Sequence, residues 1–112
     1  RLSDGMSKSA VAFMTRQLAA EAVHLNVDIF AICPGATNTP MFQASTLSKM
    51  SPDEQNDFFQ HLPKGRLIEP EEIAGIVHFL AGPAARVLHG AVIDASMGLG
   101  VRPGLMSEYG SP

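Results

Sequence analysis

The sequence predicts an α/β fold with a parallel sheet, of which these 112 residues supply a helix, a strand, a short helix, a helix and a strand. Three observations carry this. A continuous apolar run, Val27-Asp28-Ile29-Phe30-Ala31-Ile32-Cys33, stops at Pro34-Gly35, as a strand covered on both faces does. A second short run, Ala91-Val92-Ile93-Asp94-Ala95, comes late in the chain. Helical patterning lies between them, and a crossover of that length joins parallel strands with right-handed sense.

The elements follow in order. Residues 4–25 read as one long helix, with Ser3 as its N-cap. Met6, Ala10, Phe13, Met14, Leu18 and Ala22 recur at steps of three and four, which gives the helix an apolar face. Its many Ala and Ser residues allow another helix to approach closely. The first strand follows at 27–33, then a polar stretch from Ala36 to Met50. Ser51-Pro52-Asp53-Glu54 signals a helix start, with Ser at the cap, Pro at the first helical position and Glu three after the cap; the helix runs to about Gln60. His61 to Arg66 reads as a loop.

Pro70-Glu71-Glu72 opens the next helix, its acids placed to suit the helix dipole. Ile73, Ile76, Val77 and Leu80 are its expected buried face, and Gly82-Pro83 stops it. Ala84 to Leu88 can add one more turn before the second strand, and the tail from Met97 reads as irregular. No internal repeat is visible. The whole is expected to be one partial domain over 1–112, because a two-stranded sheet leaves the first strand with an unpaired edge. In open parallel sheets ligands sit beyond the carboxyl ends of the strands, which points to Pro34–Pro40.

Composition narrows the function classes. The apolar fraction is 46%, enough for a modest core. Net charge is −3 and the eight Lys and Arg are scattered, against nucleic-acid binding. No apolar run approaches the roughly 18 residues of a membrane span. The first ten residues hold no apolar signal segment. The single cysteine, Cys33, excludes an internal disulfide and suits a reducing, cytoplasmic setting. His24, His61, His78 and His89 form no helical pair and Cys33 has no second cysteine beside it, so no metal site is expected.

Three weak signals occur in a fixed order: Ser7-Lys8, then Pro34-Gly35-Ala36-Thr37-Asn38-Thr39, then Gly65-Arg66-Leu67-Ile68-Glu69-Pro70-Glu71-Glu72-Ile73-Ala74. Together the set resembles the carboxyl-terminal half of the short-chain dehydrogenase/reductase family, from Asp4 to about Gly100. The resemblance implies part of a Rossmann-like, doubly wound parallel sheet. It implies NAD or NADP as cofactor, and hydride transfer between nicotinamide and an alcohol or carbonyl. Lys8 matches the lysine that binds the nicotinamide ribose and lowers the pKa of a catalytic tyrosine four residues earlier. Pro34 and Gly35 match the cofactor turn. Thr37 would offer its backbone to the carboxamide, and Thr39 its hydroxyl to the cofactor.

The stretch from about Gln43 to Leu62 matches the substrate lid, and Met41 and Phe42 just before it either line a substrate pocket or anchor the loop. The first helix matches a subunit interface, so a homo-oligomer is expected, acting on a small molecule when the domain is intact.

The sequence departs from the family in two ways. Asp4 stands where the tyrosine belongs. Its reference pKa is about 4 against about 10 for a phenol, roughly 8 kcal/mol in proton-donor strength. Lys8 on the same helix face favours an ion pair with it over a protonated acid. Secondly, the family's Gly-rich phosphate loop, acidic ribose ligand and catalytic serine all precede the tyrosine motif. The glycines at 98, 100 and 104 open no helix and cannot replace the loop.

The expectation is therefore a fragment of an NAD(P)-dependent short-chain oxidoreductase that binds no cofactor and is inactive as this chain alone. The alternatives are a non-enzymatic binding or assembly module with Asp4 in place of the tyrosine, and a scaffold that pairs with a separate amino-terminal chain.

Overall fold

The computed structural model describes residues 2–99, with side chains from residue 6 onward. The elements are α1 (Leu2–Glu21), β1 (Ala31–Pro34), α2 (Pro40–Ser45), α3 (Pro52–His61), α4 (Pro70–Leu80) and β2 (Val92–Ala95). Short 3-10 turns occupy Leu47–Lys49, Pro63–Gly65 and Pro83–Leu88. Among the described residues β1 and β2 form a two-stranded sheet. Ala31 N–H donates to Ala91 O (3.0 Å) and Gly35 N–H to Ala95 O (3.4 Å), a constant offset that makes the pair parallel. The chain divides into two compact units, one from 2–33 and 76–93, the other from 34–75 and 94–99.

In the first unit, of the apolar face that periodicity gives α1, only Ala22 is buried. Met6, Phe13, Met14 and Leu18 are exposed, Phe13 at 72%. The buried stripe is instead Thr15, Ala19 and Ala22. The reason is the neighbour that α1 meets. The ring of His89 lies against the helix end, with Nε2 2.8 Å from Ala19 O. Gly90, at φ +88°, comes so close that a Cβ there would stand 3.3 Å from the Ala19 Cβ. Only small side chains fit beneath such a contact. The Thr15 hydroxyl, though buried, is satisfied by Val11 O at 2.8 Å, one turn back. The helix also starts at Leu2, so Ser3 lies inside it and is not its cap.

His89 also explains why the first strand is shorter than its apolar run. Its Nδ1 accepts the Ile29 N–H at 3.0 Å, so the proton sits on Nε2 and goes to Ala19 O. Gly90 N–H donates to Ile29 O at 2.7 Å. Ile29 thus spends its donor on a side chain and not on a ladder, and regular pairing begins only at Ala31. In α4, Ile73, Ile76 and Leu80 are half-buried, but Val77 is 52% exposed and does not belong to the covered face.

The second unit holds a small core of Leu47, Leu62 and Leu67, flanked by Ala36, Phe42, Met50, Phe58 and Phe59. The Ser51 signal reads true: the Ser51 side chain accepts the Glu54 N–H (3.2 Å) and the Glu54 carboxylate accepts the Ser51 N–H (2.9 Å). These bonds hold the Glu54 carboxyl below its usual range.

The polar stretch 36–50 is more ordered than its composition suggests, because it contains α2 and a 3-10 turn. The signal was present in Thr39-Pro40, the same cap-then-proline pair as Ser51-Pro52: Thr39 Oγ1 accepts the Phe42 N–H at 3.1 Å. The loop 61–66 likewise contains a 3-10 turn, with Lys64 at φ 61° and Gly65 at φ 68°.

Candidate functional site

The site that the sequence points to begins where β1 ends. Pro34 has no N–H to extend a ladder, and Gly35 passes close to the chain after β2. A Cβ on Gly35 would lie 3.0 Å from both the Cα and the Cβ of Ser96. Any side chain at this position would therefore press on Ser96, which would have to give by a few tenths of an ångström. Ser96 is itself held by the Asp94 carboxylate, which accepts from its N–H (3.0 Å) and its hydroxyl.

Next, residues 36–38 form a single parallel bridge to Ile68. Asn38 N–H donates to Ile68 O and Ile68 N–H to Ala36 O, both at 2.8 Å. Extended backbone alternates its bonding edge from one residue to the next. With residues 36 and 38 committed to Ile68, the N–H and C=O of Thr37 face the other edge, and no described residue bonds either. The Thr37 hydroxyl turns inward and donates to Gly35 O at 3.0 Å. Thr39 Oγ1 accepts from the Phe42 N–H, and no described residue takes its proton. The turn thus offers a backbone donor, a backbone acceptor and a hydroxyl donor within three residues.

The segment on the far side of the bridge is held by charge. Arg66 makes a two-pronged contact with the Glu72 carboxylate, at 2.7 and 2.9 Å. Glu72 also accepts the Glu69 N–H at 2.9 Å. The guanidinium, and then the Glu69 N–H, lower the Glu72 carboxyl from its ordinary 4.5 to about 2. The sequence marks Glu72 only as a first-turn helix acid, and nothing local in it pairs Glu72 with Arg66.

The other sequence-derived residues fall as follows. Met41, on α2, is 77% exposed, whereas Phe42 is half-buried in the small core, its ring centroid 5.9 Å from that of Phe58. Lys8 is an exposed residue of α1, in the first unit. The Asp4 side chain, and the glycines at 100 and 104, lie outside the described residues. Among the described residues no group of three His, Cys, Asp or Glu could hold a metal ion, and no helix is long and apolar enough to cross a membrane.

The family described as enoyl-(acyl carrier protein) reductase matches residues 3–100, and the chain belongs to the short-chain dehydrogenase/reductase family. It is 37% identical over 99 residues to 3-alpha-hydroxysteroid dehydrogenase/carbonyl reductase of Comamonas testosteroni, covering 87% of this chain and 38% of that protein. It is 36% identical over 96 residues to the 3-oxoacyl-(acyl-carrier-protein) reductase MabA of Mycobacterium tuberculosis, covering 84% and 37%. Among solved structures, it resembles a putative 2-deoxy-D-gluconate 3-dehydrogenase from Agrobacterium tumefaciens with bound NADP, at 30% identity and a TM-score of 0.75, covering 87% of this chain and 38% of that one. The chain thus spans under two-fifths of the length of these relatives. The fold is the corresponding part of their Rossmann-like α/β sheet.

Proposed function

We propose that this chain is the portion of an NAD(P)-dependent short-chain oxidoreductase that carries the lysine position, the nicotinamide-facing turn and the substrate lid. The observation that carries the proposal is the aim of Thr37. Its uncommitted N–H and C=O match the acceptor and donor of a carboxamide, and the Thr39 hydroxyl keeps a proton to give. The residues of the turn therefore fit the nicotinamide end of the cofactor, with Pro34 and Gly35 setting the turn, while Lys8 is assigned to the ribose hydroxyls by the family resemblance alone. When bound, the nicotinamide supplies or takes up the hydride exchanged with an alcohol or carbonyl. Met41, exposed on α2, is assigned to substrate contact, and Phe42, packed against the small core, to anchoring the loop.

The proton step is where this chain falls short. By sequence an aspartate stands at the tyrosine position, and an aspartate is a far weaker proton donor to a developing alkoxide than a matched general acid. These residues alone are accordingly assigned no turnover and no tight cofactor binding. Two measurements test this. Sub-millimolar binding in an NADPH fluorescence titration of the 112 residues would show that they need no further part of the fold. In a protein that carries the phosphate-binding half as well, Asp4→Tyr is expected to create NADPH-dependent reduction across a panel of simple carbonyls. Activity already present before the substitution would overturn the assignment of Asp4.

A second reading is favoured by one specific observation, the exposed stripe of Met6, Phe13, Met14 and Leu18 along α1. A single helix face that apolar invites cover. We assign it to contact with a second copy, which makes the chain an assembly module whether or not it has chemistry. Light scattering at about micromolar concentration should show a dimer or larger, weakened by Phe13→Glu, since a charge in an apolar contact must be desolvated. A monomer in the unsubstituted protein would remove this reading.

A further inference from the structure

The turn assigned to the nicotinamide is joined to its own unit by very little main-chain bonding. The two 2.8 Å bonds between residues 36–38 and Ile68 make one isolated bridge, outside both strands. Although Ile68 is only 3% exposed, no adjoining ladder shares the cost of opening this two-bond bridge. If it opens, the Thr37 peptide groups lose their fixed direction.

Asn38 is built to prevent that. Its side-chain Nδ2 lies 3.3 and 3.4 Å from the two carboxylate oxygens of Glu69, one amine shared between both. Its Oδ1 accepts from Gln43 Nε2 at 2.9 Å. Glu69 directly follows Ile68, so this contact ties the same two segments as the bridge, immediately beside it. Glu69 is fixed in turn, because its N–H is held by Glu72, which Arg66 grips. At the other end, Gln43 belongs to α2, whose N-cap is Thr39. Both ends of the Asn38 amide are thus occupied by groups anchored in different elements.

We propose that Asn38 is a positioning residue for the cofactor turn: it clamps α2 to the segment before α4 through Gln43 and Glu69, and so fixes the aim of the Thr37 N–H and C=O. It sets nicotinamide affinity through Thr37, not by contact of its own. The proposal rests on the reading that Thr37 faces the carboxamide. The clamp is polar and exposed, so its effect is local and adds little to global stability.

The test uses amide exchange and chemical shifts by NMR on the 112-residue protein, with Asn38→Ala, Asn38→Asp and the double variant Asn38→Asp/Glu69→Gln. In both single variants the Ile68 amide should exchange about fivefold faster, the effect of losing one modest hydrogen bond, with the thermal midpoint unchanged. Asn38→Asp sets two carboxylates against each other. The double variant should restore protection, because the introduced amide can donate to the introduced carboxylate.

NADPH is the probe for the second arm, in a protein that carries the phosphate-binding half as well. It should shift the Thr37 amide in the unsubstituted protein, and the concentration needed should rise about fivefold in Asn38→Ala. An unchanged Ile68 exchange rate in Asn38→Ala, or no rescue in the double variant, overturns the clamp. A working clamp with no NADPH-induced shift at Thr37 overturns instead the cofactor reading beneath it. A clamp lost in Asn38→Ala with NADPH affinity unchanged overturns the link between the two.

Discussion

Leu67→Ala is expected to destabilise the second unit by about 3 kcal/mol, the usual range for emptying a buried leucine site being about 2–5 kcal/mol. The residue is 7% exposed and packs with Leu47 and Leu62 among Phe42, Phe58 and Phe59. So few buried side chains make up this core that none can be spared. The aromatic rings that flank this cluster cannot easily slide into the space left behind, so the cavity term adds to the lost transfer energy. Urea denaturation checks it through the midpoint at constant slope. A loss under about 1 kcal/mol would mean that the site collapses freely and that these leucines are not a packed core. The functional consequence follows from chain order. Leu67 precedes Ile68, so loosening it also loosens the bridge that aims Thr37.

Gly35→Val carries the second largest expected effect, a loss of about 2–3 kcal/mol, at the upper end for overpacking. The atoms in the way are the Cα and Cβ of Ser96, at 3.0 Å, and its carbonyl oxygen at 3.3 Å. These are not the far end of a flexible side chain. Moving them pulls on the Gly35 N–H bond to Ala95 O and on the Asp94–Ser96 bonds. Gly35→Ala meets the same atoms with less bulk and should cost less.

This prediction also separates two reasons for a glycine after β1. If it is there for packing, the thermal midpoint falls with no cofactor present. If it is there only so that a cofactor can approach, stability is untouched and NADPH affinity alone changes. A Gly35→Val protein with an unaltered midpoint would therefore overturn the packing account.

Much of this molecule was legible in its sequence because the relevant signals are local. Ser51 and Glu54 meet across one turn, and that turn starts α3. Pro70-Glu71-Glu72 starts α4, and Pro34-Gly35 marks the end of β1. Thr39-Pro40 carried the same information for α2, although its polar surroundings masked it. The Arg66–Glu72 fork was harder to see. A spacing of six has no fixed meaning on a strand or a helix, and it closes only because the chain turns between the two residues. Asn38 gave no sign, since its partners Gln43 and Glu69 lie 5 and 31 residues away.

The sequence alone determined the order of elements apart from α2, the family and the segment to search for a site. Caps, prolines and apolar runs act within a turn or two, and they suffice for those. The tertiary structure decided which face of α1 is covered, where the first strand begins pairing and which way Thr37 points. The first two depend on His89, which reaches Ile29 and Ala19 from 60 and 70 residues away, and the third on a bridge from Thr37 to Ile68. Periodicity gave α1 an apolar face of large and small residues, of which only Ala22 is buried. The close approach of Gly90 requires a small residue at Ala19, on the covered side of the helix, while Met6, Phe13, Met14 and Leu18 lie outside.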